Sequence, residues 1–304
     1  MDVGMVGLGR MGGNMAERLV RGGHHVVGWD HDPAAIAAAG ATGVEPESSL
    51  EALVGALVPP RAVWLMVPAG APVDATLDAL VPLLARGDVV VDGGNTNYHD
   101  TVRRSQALDA HGIYLIDSGT SGGIWGLEEG YSLMIGGADE AVTRLTPLFE
   151  KLAPAPDRGW GHVGGSGSGH FVKMVHNGIE YGLMQAYAEG FAIMEAKTEY
   201  ELDLQRIAEI WRYGSVVRSW LLDLAASALS KNARLEGVVP YVEDSGEGRW
   251  TVAEAIDLDV PAPVVTLALL ARLRSRVEDS FADRLLAVLR EEFGGHAVRR
   301  EDAP

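Results

Sequence analysis

The 304-residue chain contains no cysteine and no long apolar run. Without cysteine it has no disulfide, no thiol nucleophile and no thiolate metal site, and we expect a reducing compartment such as the cytoplasm. Its longest apolar runs, 62–67 and 264–271, are far too short to span a bilayer, so no membrane partner is predicted. The first apolar stretch follows no basic leader, and we therefore expect no signal peptide.

Basic residues are scarce. The 25 Lys and Arg residues face 42 Asp and Glu residues, which gives a net charge of −17. This charge argues against a nucleic-acid partner. An anionic ligand would need locally concentrated basic side chains or helix N-termini, so the positions of the few basic residues carry information.

The length predicts two domains, because a single core rarely extends over so many residues. Residues 1–163 alternate apolar β-rich runs with helical stretches, as in a doubly wound parallel sheet. The strand predictions are Asp2–Val6, His25–Trp29, Val63–Val67, Val89–Val91, Tyr114–Asp117 and Ser132–Ile135. Residues 164–304 have helical signals almost throughout. The predicted fold class is therefore α/β, a doubly wound parallel sheet followed by an all-α domain.

A glycine motif directly follows the first predicted strand and opens a helix: Gly7, Leu8, Gly9, Arg10, Met11 and Gly12. In this context Gly7 permits the tight turn, Gly9 lets the backbone approach a pyrophosphate, and Gly12 allows close packing of helix and strand. A chance glycine turn is the alternative. The motif predicts a Rossmann-type dinucleotide site in the first domain.

Asp30 stands at the tip of the second predicted strand, followed by His31 and Asp32. A carboxylate there accepts hydrogen bonds from the adenosine ribose hydroxyls and repels a 2′-phosphate, which favours NAD over NADP. A solvated aspartate at a strand end is the alternative. Two later strand ends on the same edge of the sheet carry turns, Val67–Pro68 and the turn before Asn95, and we assign these residues to cofactor binding, with Asn95 also near the substrate.

The most informative segment is Lys173–Tyr181, which follows a glycine-rich stretch, 164–169. That stretch is either a flexible linker or a set of small residues that lets a ligand approach the next helix. In a helix, Lys173, His176, Asn177 and Glu180 share one face, with Lys173 and Glu180 about 10.5 Å apart along the axis. The flanking residues are apolar, so we expect a buried helix that lines a reaction cleft; a core helix with a Lys–Glu ion pair is the alternative. For His176 the alternative is a hydrogen-bonded core histidine.

These features together resemble the family of decarboxylating 6-phosphogluconate dehydrogenases, in its short form, over nearly all of the chain. Besides the glycine motif, four segments carry the resemblance: Asp117–Gly123, Lys173–Tyr181, Gly246–Thr251 and Arg290–His296. The resemblance implies a soluble NAD-dependent enzyme that converts 6-phosphogluconate to ribulose 5-phosphate and CO2. It also implies that residues 164–304 form a substrate and dimerisation domain with a C-terminal tail, and it implies no metal.

The resemblance implies two catalytic residues. Lys173, with its pKa lowered by desolvation, removes the proton from the C3 hydroxyl and later polarises the C3 carbonyl. Glu180, protonated in apolar surroundings, delivers a proton after CO2 leaves to the carbon that becomes C1 of ribulose 5-phosphate. Since both residues lie on one face, they can serve carbons spread along the helix axis.

The resemblance also implies a set of substrate contacts. Ser121, Gly122 and Gly123 hold the carboxylate, while His176 and Asn177 orient the hydroxyl. The phosphate is held by Tyr181, Arg249 and Arg272, with Arg274 and Arg276 as alternatives to Arg272. Arg290 and His296 enter the site of a neighbouring subunit, where Arg290 also holds the phosphate, so we expect a homodimer or homotetramer.

Departures from the family limit what can be carried over. Long members have asparagine, arginine and threonine where this chain has Asp30, His31 and Asp32, so their NADP preference does not transfer. The chain also lacks the second half of their helical domain, and Arg249 stands where the family has lysine. A β-hydroxyacid dehydrogenase without decarboxylation is the competing enzyme, and an NAD-binding regulatory protein is the competing non-enzyme.

Overall fold

The computed structural model describes residues 1–295 and 297–300. Within these residues, eight β-strands form one sheet. The strands are β1 (Asp2–Val6), β2 (His25–Trp29), β3 (Glu45–Pro46), β4 (Ala62–Leu65), β5 (Val89–Asp92), β6 (Tyr114–Ser121), β7 (Ser132–Gly136) and β8 (Trp160–Gly164).

Thirteen α-helices accompany the strands in the same described residues. They are α1 (Arg10–Arg21), α2 (Pro33–Gly40), α3 (Leu50–Ala56), α4 (Ala71–Leu80), α5 (Tyr98–Asp109), α6 (Gly126–Glu129), α7 (Asp139–Leu152), α8 (Ser168–Ala196), α9 (Leu204–Trp211), α10 (Trp220–Lys231), α11 (Glu247–Asp257), α12 (Pro263–Arg274) and α13 (Phe281–Gly294). None of the described helices is long and apolar enough to cross a membrane.

The strand order is β3-β2-β1-β4-β5-β6-β7-β8. All neighbouring pairs are parallel except β6 and β7, which are antiparallel. The order runs outward in both directions from the contact between β1 and β4, so the carboxyl ends of β1, β4 and β5 meet at one edge. Ligands of doubly wound sheets bind at this edge. The predicted fold class is confirmed.

The sheet separates two apolar layers, because successive side chains of a strand point to opposite faces. Val89 and Val91 of β5 pack in one layer, with Phe149 of α7, whereas Val90 packs in the other, with Leu77 of α4. The fully apolar runs in the sequence are thus explained by helices on both faces.

Several strand predictions need correction. The strand predicted over Val63–Val67 is Ala62–Leu65, because the chain already turns at Val67 and Pro68, and β5 continues to Asp92. The strands β3 and β8 were not predicted, because one is two residues long with a proline and the other, Trp160–Gly164, is rich in glycine. The strand β6 does not end at Asp117 but continues to Ser121, since residues 117–121 pair with β7 and the polar side chains of Ser118 and Thr120 are buried.

Residues 1–178 and 179–304 form two compact units. The first contains the whole sheet and the start of α8, and the second contains the remainder of α8 and the helices α9–α13. The second unit has two small apolar clusters, one around Leu222 and Ala226 and one around Tyr181 and Leu269. The domain boundary predicted between residues 163 and 164 stays a prediction.

Candidate active site

The glycine motif forms the turn between β1 and α1. Gly7 has a φ of 92°, and a Cβ atom on it would lie 2.5 Å from the carbonyl oxygen of Met66. A Cβ atom on Gly12 would lie 1.9 Å from the carbonyl oxygen of Gly7. A Cβ atom on Gly9 would meet nothing within 4 Å. Gly7 and Gly12 are therefore required by the fold itself, whereas the missing side chain of Gly9 leaves open space where a ligand can approach the backbone.

The N-terminus of α1 suits an anion. Gly9 provides no side-chain cap, and the first turn contains no acidic residue. The backbone N–H groups of the first turn of α1 therefore remain available to phosphate oxygens, as a pyrophosphate site requires. Arg10 is exposed at the first helical position, and Met11 packs against the apolar layer that contains Met15.

Asp30 is buried at the end of β2, with 7% of its surface exposed. Its Oδ2 atom accepts a hydrogen bond of 2.6 Å from the N–H of Leu8, and its Oδ1 atom accepts one of 2.9 Å from the N–H of Asp32. The exposed His31 ring lies 2.9 Å from the same Oδ1 atom. Because a carboxylate has about four lone-pair sites, Oδ2 retains capacity for a ribose hydroxyl. The residues present thus fit the adenosine end of NAD.

The turns after β4 and β5 lie beside each other at the same edge of the sheet. Val67 is half-buried against the second apolar layer and Pro68 is exposed. Asn95 is exposed in the next turn, which is shaped by the buried carboxylate of Asp92. Asp92 accepts hydrogen bonds from the N–H of Gly94 at 3.0 Å and from the hydroxyl of Thr96 at 2.7 Å. Asp92 thereby determines where Asn95 stands.

The predicted carboxylate loop begins at the end of β6. Gly122 and Gly123 have φ values of 133° and 52°, so both adopt backbone conformations that favour glycine. The ring of Tyr131 supports the loop from below, because a Cβ atom on Gly122 would lie 3.2 Å from it. Burial raises the pKa of Tyr131 to about 12, so this support is uncharged. Ser121 is half-buried at the strand end.

Asp117 anchors the start of α8. Its Oδ1 atom accepts a hydrogen bond of 2.7 Å from the N–H of Gly167, and its Oδ2 atom accepts one of 2.9 Å from the N–H of His170. A Cβ atom on Gly169 would lie 2.4 Å from the carbonyl oxygen of Met134. The glycine-rich stretch is therefore neither a flexible linker nor an approach for a ligand at Gly169, because strand backbone occupies that space.

Lys173 lies one turn further along α8, with only 7% of its surface exposed. A Cβ atom on Gly119 of β6 would lie 2.5 Å from the Cβ atom of Lys173, so helix and strand are in direct contact at this point. Asp117 and Gly119 together determine the position of Lys173. Sequence reasoning missed this role of Asp117, although an acid directly after a run of apolar strand residues is a usable signal, as Asp92 also shows.

The next polar pair on the helix is in direct contact. The Nδ1 atom of His176 lies 3.1 Å from the Oδ1 atom of Asn177. Asn177 is 9% exposed and His176 is half-buried. An amide oxygen that bonds to the imidazole leaves the amide N–H2 group of Asn177 to donate to a hydroxyl.

The prediction of a buried helix is wrong for the second part of α8. Ile179, Leu183 and Met184 are 56%, 46% and 40% exposed, and Glu180 is half-buried. Among the described residues these apolar side chains are only partly covered, so the apolar surroundings expected for Glu180 are only partly provided. Glu180 does follow Lys173 by two turns on one continuous helix, as predicted.

The predicted phosphate residues form a cluster in the second unit. The guanidinium carbon of Arg272 lies 3.6 Å from the centre of the Tyr181 ring. Arg249 forms an ion pair of 2.7 Å with Asp244, and Arg276 forms one of 2.6 Å with the same carboxylate. Hydrogen bonds from Arg249 and Arg276 lower the pKa of Asp244.

The three neighbouring arginines at and after the end of α12 differ in their contacts with this cluster. Arg272 reaches Tyr181 and Arg276 shares Asp244 with Arg249, whereas Arg274 binds Asp283 at 2.8 Å. The geometry therefore favours Arg272 and adds Arg276. Asp244 and its role were missed, since no local pattern shows that one carboxylate serves Arg249 on α11 and Arg276 in the turn after α12.

The tail residues are not brought to this cluster by anything that the structure describes. Arg290 is exposed on α13, and His296 lies outside the described residues. Both assignments stay predictions.

Comparison with known families agrees with this geometry. The sequence profile described as the NAD binding domain of 6-phosphogluconate dehydrogenase matches residues 2–163, and the profile of the C-terminal domain of the same enzyme matches residues 169–288. The chain belongs to the 6-phosphogluconate dehydrogenase family. The resemblance predicted from the sequence is thereby confirmed.

Three individual proteins are similar to this chain to different degrees. The NAD(+)-dependent, decarboxylating 6-phosphogluconate dehydrogenase of Haloferax volcanii is 49% identical over 303 residues, which are 99% of this chain and 100% of the relative. The Plasmodium falciparum 6-phosphogluconate dehydrogenase superposes with a TM-score of 0.84 at 27% identity, over 100% of this chain and 67% of the longer Plasmodium chain. The Mycobacterium tuberculosis 3-hydroxyisobutyrate dehydrogenase superposes with a TM-score of 0.73 at 22% identity, which shows a shared fold alone.

Proposed function

We propose that the protein catalyses the oxidative decarboxylation of 6-phosphogluconate to ribulose 5-phosphate and CO2, with NAD as the oxidant. The observation that carries the proposal is one helix, α8, that presents Lys173, the His176–Asn177 pair and Glu180 in sequence. The similarity to the Haloferax enzyme, which extends over both complete chains, supports the same activity.

The first domain supports NAD rather than NADP. Gly9 leaves room for the pyrophosphate, and the buried carboxylate of Asp30 meets a ribose diol favourably but a 2′-phosphate unfavourably. Neither Arg nor Lys follows Asp30 directly in the sequence. When bound, NAD supplies the acceptor for the hydride that leaves C3.

Lys173 is assigned the first proton transfer. Its amine removes the proton of the C3 hydroxyl as the hydride departs, which converts C3 to a carbonyl. Asp117 and Gly119 hold the start of α8, which places Lys173 beside the strand that leads into the carboxylate loop. A base held in this position can take the proton within the bound complex, without a diffusional encounter between base and substrate.

The second step is the loss of CO2. The C1 carboxylate is β to the new C3 carbonyl, so the electrons of the C1–C2 bond pass into an enediol while the ammonium of Lys173 gives its proton to the C3 oxygen. Glu180 then gives a proton to C2, the carbon that carried the carboxylate, as Lys173 takes back the enol proton, which produces ribulose 5-phosphate. Two groups of opposite role at different steps explain why the helix carries both an amine and a carboxyl.

The remaining residues hold the substrate. We assign the carboxylate to Ser121, Gly122 and Gly123, whose glycines expose backbone N–H groups to an anion. Asn95, His176 and Asn177 are assigned to the hydroxyl groups. Tyr181, Arg249 and Arg272 are assigned to the phosphate, and Arg276 joins them because it shares Asp244 with Arg249.

A second copy of the chain completes the proposal. The helix α13 has no buried residue, and Phe281, Leu286 and Leu289 on it are 69%, 60% and 53% exposed. So many exposed apolar side chains on one helix indicate an interaction surface, because the described part of the chain does not bury them. We propose a homodimer or homotetramer in which Arg290 and His296 enter the substrate site of a neighbour. The cysteine-free composition is the support for a cytoplasmic enzyme.

Mixing of two inactive variants tests the exchange of tails. Lys173→Ala and His296→Ala are unfolded and refolded together, and a mixed dimer then has one site that lacks both groups and one intact site. We expect activity to return in the mixture. If mixed dimers form and the mixture stays as inactive as each variant alone, the tail does not act between subunits.

A comparison of two substrates tests the reaction class. Initial rates of NADH formation are measured with 6-phosphogluconate and, separately, with 3-hydroxyisobutyrate, and we expect 6-phosphogluconate to have the higher kcat/KM by a wide margin. The Arg249→Ala variant should lose this preference, because the phosphate then has one guanidinium fewer. A wild-type preference for 3-hydroxyisobutyrate would favour the non-decarboxylating alternative.

A further inference from the structure

An unusual cation lies inside the first domain. Arg104 of α5 is 2% exposed and occupies the buried face of its helix together with Thr101, Ser105 and Leu108. A buried charge costs free energy unless it is paired, so a charged residue at a position suited to an apolar side chain needs a reason.

The contacts of Arg104 reach two separate turns. Its Nη2 atom donates a hydrogen bond of 3.0 Å to the carbonyl oxygen of Gly70, and its Nε and Nη2 atoms bind the carboxylate of Asp74 at 2.8 Å and 3.0 Å. Its buried Nη1 atom has no hydrogen-bond partner among the described residues and faces the Oδ2 atom of Asp92 at 3.8 Å, a distance at which the two groups attract by charge alone. These hydrogen bonds lower the pKa of Asp74 to about 2, so this carboxylate stays ionised.

Both turns belong to the edge of the sheet where NAD is placed. Gly70, with a φ of 86°, ends the turn that contains Val67 and Pro68 and begins α4. Asp92 accepts the hydrogen bonds that shape the turn of Asn95. The turns follow neighbouring strands, β4 and β5, but no described hydrogen bond joins one turn directly to the other.

We propose that Arg104 is a positioning residue that holds the turns after β4 and β5 in the conformation that binds NAD. The guanidinium does not touch the cofactor; it holds the carbonyl of Gly70 by a hydrogen bond and attracts the buried carboxylate of Asp92 by its charge. The planar fork is essential, because a lysine ammonium cannot serve a carbonyl, a bidentate carboxylate and a second carboxylate at once. The inference rests on the proposed function only in that these turns contact NAD.

The neighbouring residue provides a matched control. Arg103 also binds Asp74, at 3.0 Å, and it binds Asp100 at 3.3 Å, but its side chain is 58% exposed and it has no described contact with Gly70 or Asp92. The same substitution at the two positions therefore separates the loss of an ion pair with Asp74 from the loss of the link between the turns.

The experiment is a fluorescence titration of Arg104→Lys and Arg103→Lys with NADH, without substrate, at a temperature where circular dichroism shows both variants folded. We expect the Kd for NADH to rise roughly tenfold in Arg104→Lys and to stay within about twofold of wild type in Arg103→Lys. The KM for NAD should rise in parallel, whereas the KM for 6-phosphogluconate should change less. A role limited to stability would lower the melting temperature and leave the Kd of the folded protein unchanged.

A second variant covers the case in which Arg104→Lys does not fold. Asp74 has a side chain that is 38% exposed, so Asp74→Asn loosens the hold on Arg104 without opening the core. We expect this variant to raise the Kd for NADH by roughly twofold to fivefold. If the wild type binds NADH normally and the Kd is unchanged in every folded variant, the role of Arg104 is overturned and the proposed function is not affected. A wild type that does not bind NADH would overturn the proposed function as well.

Discussion

Gly119 lies so close to Lys173 that a Cβ atom on the glycine would come within 2.5 Å of the Cβ atom of the lysine. The same Cβ atom would lie 2.6 Å from the carbonyl oxygen of Gly169. Strand β6 and helix α8 therefore meet at the residue that is assigned the first proton transfer. A single methyl group at position 119 must displace either the helix or the strand.

The Gly119→Ala variant should lose activity through this displacement. A shift of Lys173 by about 1 Å would lower kcat on the order of 100-fold, because proton transfer depends steeply on position. Binding of NADH, measured by titration, should change little. Gly161→Ala in β8 is the control, since its Cβ atom would meet nothing within 4 Å. Equal, near-normal kcat values in both variants would show that this contact does not position the lysine.

Lys173→Ala and Glu180→Gln should fail at different steps. Without the amine, the rate of NADH formation should fall by roughly 100- to 10,000-fold, since no other residue is assigned to take the hydroxyl proton. In Glu180→Gln a rapid first turnover of NADH should remain, followed by slow release of ribulose 5-phosphate, because protonation of the enediol is impaired more than oxidation. Stopped-flow absorbance and product analysis check both results. Near-normal turnover of Lys173→Ala would disprove the assignment of the base.

Two glycines of the first turn should respond in opposite ways to alanine. Gly12→Ala places a methyl group 1.9 Å from the carbonyl oxygen of Gly7. It should lower the free energy of unfolding by about 3 kcal/mol. Gly9 has a φ of −59° and open space beside it, so Gly9→Ala should leave stability unchanged. Because its methyl group enters the proposed pyrophosphate space, it should weaken NADH binding by about tenfold.

Urea unfolding and NADH titration of both variants measure this contrast. Tight NADH binding by Gly9→Ala would place the pyrophosphate elsewhere. A stable Gly12→Ala protein would show that the turn can shift more easily than the distances indicate.

Local patterns were sufficient for much of this account, and long-range contacts were not. Gly7, Gly9 and Gly12 could be interpreted from their spacing after an apolar strand, because their roles depend on neighbours in the sequence. Asp117 and Arg104 could not, because their partners lie about 50 and about 30 residues away and only the folded sheet brings them together. Strand β8 was missed since glycine and histidine hide a strand whose stability comes from its neighbour.

The exposed apolar face of α8 shows the same limit. Phe171, Ile179 and Leu183 have the periodicity of a buried helix, and periodicity does not distinguish a core from an interface. Ile179 and Leu183 are 56% and 46% exposed in the single chain. The error therefore agrees with the proposed oligomer, in which a second copy would cover these residues.

Cofactor preference depends on the residues at the end of β2. The carboxylate of Asp30, fixed by the N–H groups of Leu8 and Asp32, should repel a 2′-phosphate and give NAD a kcat/KM at least about tenfold above that of NADP. Replacement of Asp30 by Asn and of His31 by Arg should move the preference toward NADP, since repulsion is removed and a guanidinium is added. Steady-state kinetics with both cofactors check the shift, and the single variant His31→Gln controls for loss of the ring. A wild-type enzyme markedly faster with NADP would overturn this interpretation.

The most direct test of the central claim follows the carboxylate of the substrate. 6-Phosphogluconate labelled with carbon-13 at C1 is incubated with the enzyme and NAD, while NADH is measured by absorbance and labelled CO2 by mass spectrometry. The account predicts one molecule of labelled CO2 for each NADH, and unlabelled ribulose 5-phosphate as the other product. NADH formation with the label retained in a phosphorylated keto acid would contradict it, because the enzyme would then oxidise the hydroxyl group without decarboxylation.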